Sequence, residues 1–224
     1  MDAVYILGSG SKADNLELFI SIALLKKHCI DLKNIYVVGD DPGFKGDFIH
    51  LPAEDNFSDE WKNVLSKIKK AIAELPLTEK FLLMNDDFFA NAPFEADSLP
   101  YYAVNGEAND INGKYNFGIQ APYIIERELF KSMPLDVFAP KNTSIRSFYG
   151  NYFKCEPEFV KDTIMIAGAG VPSYDEQIAG KPWFSTDDHI FTLPDFVDWI
   201  KNKVGEDLPE ISSQRMTLSE EEVN

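Results

Sequence analysis

At 224 residues, with 45% hydrophobic and 13% aromatic content, the chain is long enough to bury one sizeable core and too apolar to be disordered. Its 21 Lys and Arg stand against 37 Asp and Glu, a formal net charge of -16 that disfavours nucleic acid and anionic membranes as partners. Two cysteines, Cys29 and Cys155, fit neither a metal-ligand spacing nor a disulfide framework, no stretch reaches transmembrane length, and no basic region precedes the first apolar run; a reduced, cytoplasmic protein without a signal peptide is expected.

Val4-Tyr5-Ile6-Leu7 predicts a first buried strand, and Gly8, Ser9, Gly10 and Ser11 after it predict a loop whose backbone can approach a phosphate or nucleobase, or make a plain tight turn. Asp14 or Asn15 is placed to cap the next helix, where Leu16, Phe19, Ile20, Ala23 and Leu24 recur at helical spacing. Ile35-Tyr36-Val37-Val38 predicts the second strand of a βαβ unit, ending at Gly39-Asp40-Asp41-Pro42; there Asp40 suits a contact to a ribose hydroxyl or base, or a structural turn. Residues 48–52 predict a short third strand, with His50 a structural histidine. A helix with Trp61, Val64, Leu65, Ile68, Ala71, Ile72 and Leu75 on its apolar face follows, and Lys62, Lys67, Lys69 and Lys70 are expected on its solvated face.

Phe81-Leu82-Leu83-Met84 reads as a strand buried on both faces that stops on Asn85-Asp86-Asp87. Adjacent carboxylates at the carboxyl end of such a strand lie where open α/β sheets bind ligands. A pair of this kind is stabilised by a divalent cation, Mn²⁺ or Mg²⁺, although Asn and Asp also suit a solvated turn. Beyond it, residues 105–113 read as a mobile loop beside the crevice, and a helix is expected around Arg127, Leu129 and Phe130. Arg146 precedes a run dense in aromatic rings and suits a phosphate or an exposed ion pair. A second acidic pair, Asp187-Asp188, is flanked by Phe184 and His189 and offers a general base or a helix start, and Phe196, Val197, Trp199 and Ile200 give a last helix. The expected organisation is a single domain over residues 1–204 with an acidic tail at 205–224. The alternation of strands and helices predicts an α/β fold: a mainly parallel twisted sheet with helices on both faces.

Several of these segments together resemble the Stealth proteins, sugar-phosphate transferases of capsular polysaccharide synthesis related in their core to GT-A nucleotide-sugar transferases. They are Asp2-Ala3-Val4-Tyr5, Asn15-Leu16-Glu17-Leu18, Tyr36-Val37-Val38-Gly39-Asp40-Asp41-Pro42 and Asn85-Asp86-Asp87-Phe88-Phe89, with Gln120-Ala121-Pro122, Arg146-Ser147 and Ser185-Thr186-Asp187-Asp188 in the order of the family's later regions. Compact versions of the pattern are similar to glycosyltransferase-like proteins of bacteria and phages, so the setting implied is a bacterial or phage-infected cytoplasm. The chain departs from the family at Ile6-Leu7-Gly8-Ser9, where Trp-Val-Asp-Gly is usual, and at Gln120, where a histidine precedes Ala-Pro.

The resemblance implies a GT-A-like, Rossmann-like fold and a metal-dependent transferase acting between a nucleotide-sugar donor, most simply a UDP-sugar, and a glycan or other hydroxyl acceptor. Asp86 and Asp87 would hold the metal, Gly8, Ser9, Gly10, Ser11 and Asp40 the nucleoside. Asp187 or Asp188 would act as base, and Arg146 would steady a phosphate. The alternatives are transfer of sugar 1-phosphate, and a catalytically silent module gripping a glycan or partner through the aromatic residues around Phe88, Tyr149 and Trp183.

Overall fold

The structure is a computed structural model and describes residues 1–11, 13–104, 115–133, 144–186 and 189–205. The expected loop at 105–113, the pair Asp187-Asp188 and the tail from residue 206 therefore lie outside the described residues.

In chain order the elements are β1 (Asp2–Leu7), α1 (Leu16–His28), β2 (Ile35–Gly39), β3 (Ile49–Pro52), α2 (Glu60–Glu74), β4 (Lys80–Met84), β5 (Phe88–Ala90), β6 (Tyr101–Ala103), β7 (Tyr123–Glu126), α3 (Arg127–Ser132), α4 (Ile145–Tyr152), β8 (Pro157–Phe159), α5 (Tyr174–Ile178), β9 (Trp183–Ser185) and α6 (Pro194–Val204). Five strands form the main sheet in the order β3-β2-β1-β4-β7, all parallel except β7, which runs antiparallel to β4. Two small ladders complete the chain, β5 antiparallel to β9 and β6 parallel to β8.

The period of two along each central strand sorts side chains to opposite faces. Val4, Ile6, Tyr36, Val38, Phe81 and Leu83 pack beneath α2, whereas Ala3, Tyr5, Leu7, Ile35, Val37, Leu82 and Met84 pack against α1. The expected α/β sheet with helices on both faces is therefore present. Asp2, 1% exposed, locks the amino ends of three strands: its carboxylate accepts from the N–H and side-chain amide of Asn34 and from the N–H of Thr78.

The expected apolar face of α1 is present, Leu16, Ile20 and Leu24 facing Phe196, Ile200 and Val204 of α6, and a second stripe of Leu18, Ile22 and Leu25 faces the sheet. One local expectation for this helix is corrected. Neither Asp14 nor Asn15 caps it through its side chain: the Ser11 hydroxyl accepts from the N–H groups of Ala13 and Asn15, and the Asn15 amide instead donates to the carbonyls of Asp41 and Pro42.

The topology fixes where a ligand can enter. From β1 the chain crosses to β2 and β3 on one side, then returns to β4 on the other, so the strand order reverses between β1 and β4. The crevice outside the carboxyl ends of those two strands is a topological switch point, the usual ligand site of open α/β sheets.

Candidate active site

Three of the predicted segments leave the sheet at this end. Residues 8–11 follow β1, Asp40 follows β2, and Asn85-Asp86-Asp87 follows β4. Gly39 brings the first two together. Its φ is +142, and a Cβ there would lie 1.9 Å from the Leu7 carbonyl oxygen, so only glycine lets the ends of β1 and β2 approach this closely. The Asp40 N–H donates to the same carbonyl at 3.4 Å, while the Asp40 side chain is exposed at the rim and accepts from the N–H of Asp41. His50 is structural, as expected: its Nε2 bonds the Gly39 carbonyl at 3.2 Å.

Both ends of the 8–11 loop are tied down. The Ser9 N–H donates to Asp55 Oδ2 at 3.3 Å, and Asp55 Oδ1 pairs with the Lys67 ammonium at 2.6 Å. Lys67 also donates to the Leu7 carbonyl at 2.7 Å. Burial opposes the Asp55 charge, but Lys67 and the Ser9 N–H outweigh it and hold the carboxyl below its usual range. At the other end the Ser11 hydroxyl donates to the carboxylate of Glu17. Between these ties a Cβ on Gly8 or on Gly10 would meet nothing within 4 Å, so the backbone of the loop is open there. The expectation of a solvated face for Lys67 is wrong, since its side chain is 2% exposed. The spacing held the signal: Lys67 lies three residues after Val64 and four before Ala71, both on the apolar face.

Asp86 and Asp87 are the central residues of a tight turn, in which the Phe88 N–H donates to the Asn85 carbonyl at 3.4 Å. The turn is half-buried rather than solvated, because Phe88 and Phe89 continue directly into the core. Arg146, in the first turn of α4, stands beside it. One guanidinium nitrogen donates to the carbonyls of Ile119 and Ala121 at 2.8 and 3.0 Å, and the group lies over the Phe88 ring at 5.0 Å. Burial lowers the Arg146 pKa to about 10, with Asp87, Tyr123 and Asp162 acting in the opposite direction, so the group stays charged at neutral pH. Arg146 is thus half-buried, anchored by two backbone carbonyls and within electrostatic reach of Asp87 and Asp162.

An open cleft of about 640 Å³ occupies this end of the sheet. Ile6 and Leu83 form its floor with Asn85 at the edge; Asp59, Glu60 and Trp61 from the start of α2 line one side, and Ser144, Ile145 and Arg146 from the start of α4 the other. The two helix ends differ electrostatically. Glu60 places negative charge in the first turn of α2, whereas the first turn of α4 has no acidic residue and carries Arg146, the arrangement that favours an anion.

Asp187 and Asp188 lie outside the described residues. The strand leading to them does not: in the β5–β9 ladder Ser185 is opposite Phe88, which brings Thr186 to the side of the Asp86-Asp87 turn. Among the described residues no group of three or more His, Cys, Asp or Glu is arranged to hold a metal ion. Gln120 lies next to the Arg146 anchor, its N–H donating to Asp162 at 3.3 Å. Phe88, Tyr149 and Trp183 themselves are 1%, 0% and 5% exposed and belong to the core, while Tyr152, on α4 with Tyr149, is exposed.

Many solved chains match this structure. One is an active-site mutant of LgtC, a GT-A glycosyltransferase, which aligns over 89% of this chain and 96% of its own with a TM-score of 0.51 and 8% sequence identity. The likeness establishes a glycosyltransferase-like fold of the GT-A type. No protein-family model matches the chain, and no curated protein matches it.

Proposed function

We propose that the chain is a glycosyltransferase that moves a sugar from a nucleotide-sugar donor, a UDP-sugar in the simplest case, to a hydroxyl of a glycan acceptor. One observation carries the reading: the 8–11 loop, Asp40 and the Asp86-Asp87 turn emerge together at the switch point of a GT-A-like sheet, beside a cleft bordered by Arg146.

The cleft wall is acidic at Asp59 and Glu60, Asp40 is exposed at the end of β2, and a diphosphate binding here needs counter-charge. Two adjacent carboxylates at a half-buried turn suit Mg²⁺ or Mn²⁺, which bind through one or two carboxylates together with substrate phosphates and keep several waters. Asp86 and Asp87 would hold such an ion, and when bound it supplies Lewis-acid stabilisation of the leaving diphosphate. The chain's own groups do the rest. Open backbone at Gly8 and Gly10, with Asp40, receives the nucleoside; Arg146 and the start of α4 hold phosphate oxygens. In the transfer the acceptor oxygen bonds to the anomeric carbon, the bond from that carbon to the diphosphate oxygen breaks, and the electron pair leaves with the diphosphate. The acceptor proton passes to a carboxylate, assigned to Asp187 or Asp188 on the chain leaving β9.

Product analysis tests this directly. The protein incubated with Mn²⁺ and a panel of UDP-sugars and simple glycoside acceptors should release UDP and extend the acceptor. Release of UMP would instead support the Stealth-like transfer of sugar 1-phosphate. Neither product from any donor would refute transferase activity.

A further inference from the structure

The ion pair beneath the 8–11 loop is a costly way to fill a core position. A buried ammonium must recover its lost hydration, and an apolar side chain of similar volume often serves packing equally well. What Lys67 and Asp55 supply that an apolar pair cannot is direction. The ammonium reaches from α2 to the Leu7 carbonyl at 2.7 Å and to Asp55 at 2.6 Å, and the second Asp55 oxygen continues to the Ser9 N–H at 3.3 Å. The loop's two glycines carry no side chain to pack, and a Cβ at either would touch nothing within 4 Å. The chain of bonds therefore connects helix α2 to the open backbone of the loop that follows β1.

We propose that Lys67 and Asp55 are positioning residues of the donor site, holding the 8–11 loop in the conformation that receives the nucleoside. The proposal rests on the donor-site reading above and adds to it the device that orders the loop before ligand arrives. Pre-ordering matters because a loop that must be immobilised on binding subtracts that cost from affinity.

The test is a paired substitution, Lys67→Met with Asp55→Leu, in the full chain. Removing both charges avoids stranding either one, so the pair variant should unfold closer to wild type than Lys67→Met alone. Two readouts separate positioning from packing: hydrogen exchange at the Ser9 amide, and the dissociation constant for UDP in Mn²⁺. The pair variant should exchange Ser9 roughly fivefold to tenfold faster, as expected for loss of one modest hydrogen bond, and bind UDP on the order of tenfold more weakly. Lys67→Arg should recover part of both effects. Ile35→Val, at the amino end of β2 opposite Ala3 and so at the far end of the sheet from the loop, should lower stability and change neither readout. UDP binding and Ser9 exchange both at wild-type values in the pair variant would overturn the proposal. Wild-type protein that binds no UDP would refute the donor-site reading instead. In that case Ser9 exchange alone decides the tether: faster exchange in the pair variant supports it, unchanged exchange overturns it.

Discussion

Gly39→Ala is the sharpest perturbation available outside the chemistry. The methyl carbon it adds falls 1.9 Å from the Leu7 carbonyl oxygen, 2.9 Å from its carbon and 3.2 Å from its Cα. Contacts below 3.0 Å are not tolerated between a Cβ and backbone, so the ends of β1 and β2 must part by about 1 Å. They cannot do so freely, because Leu7 is held by Lys67 and sits in register with Gly39 inside the sheet. The substitution also asks a β-carbon residue to adopt φ +142. A backbone in such a region costs about 1–3 kcal/mol, and forcing a packed contact apart about 1–3 kcal/mol more, so a loss of roughly 4 kcal/mol is expected. For a domain of this size that corresponds to a melting temperature lower by roughly 8–16 °C. Urea unfolding followed by circular dichroism measures it, with the m-value checking that unfolding remains cooperative. A loss under about 1 kcal/mol would mean that the close approach of β1 and β2 does not exist.

Lys67→Met alone leaves the Asp55 charge without its cation and takes one of two donors from the Leu7 carbonyl, and should cost about 3 kcal/mol by urea unfolding, the lower part of the range for a broken buried pair because Asp55 is 26% exposed. Arg146→Lys loses the planar guanidinium that lies over the Phe88 ring and its reach to the Ile119 and Ala121 carbonyls; a loss of about 1–2 kcal/mol in the same assay is expected, with UDP binding weakened further. Acid should unfold the protein through depressed carboxylates. Burial raises the Asp31 and Asp55 pKa values, but the N–H groups of Ala96 and Asp97, and Lys67 with Ser9, prevail and leave both below 3.8. A carboxyl depressed in this way contributes stability that is complete above its unfolded pKa and lost as pH falls through the folded one. Unfolding followed by circular dichroism should therefore set in below about pH 4, and Asp55→Asn should flatten that dependence.

The central sheet was legible because Val4 to Leu7, Ile35 to Val38 and Phe81 to Met84 are unbroken apolar runs, the pattern of parallel strands buried on both faces. Their turn residues then marked the carboxyl ends, and with them most of the candidate site. What escaped depends on contacts distant in sequence. Tyr123-Ile124-Ile125 reads as the approach to a helix, yet it closes the sheet as antiparallel β7, since pairing with β4 supplies bonds that no local pattern announces. The three-residue strands β5 and β9 pair with each other across almost a hundred residues, and β9 is bridged as well by Ile164. Lys67 shows the same limit in a single side chain: lysine is ordinarily solvated, and its partner Asp55 sits in a loop whose position follows only from the fold. The aromatic residues at Phe88, Tyr149 and Trp183 serve cores more often than surfaces, and here they do.

The donor site at the switch point is tested most directly by thermal unfolding with and without UDP, in Mn²⁺ and in EDTA, on wild type and Asp87→Ala. A ligand that binds only the folded state at a hundredfold excess over its Kd adds about 2.7 kcal/mol, a rise of roughly 5–11 °C for a domain of this size. The account predicts that rise with UDP and Mn²⁺ together in wild type, none in EDTA, and none in a folded Asp87→Ala. No shift in wild type with any nucleoside diphosphate, or an equal shift in Asp87→Ala, would contradict it.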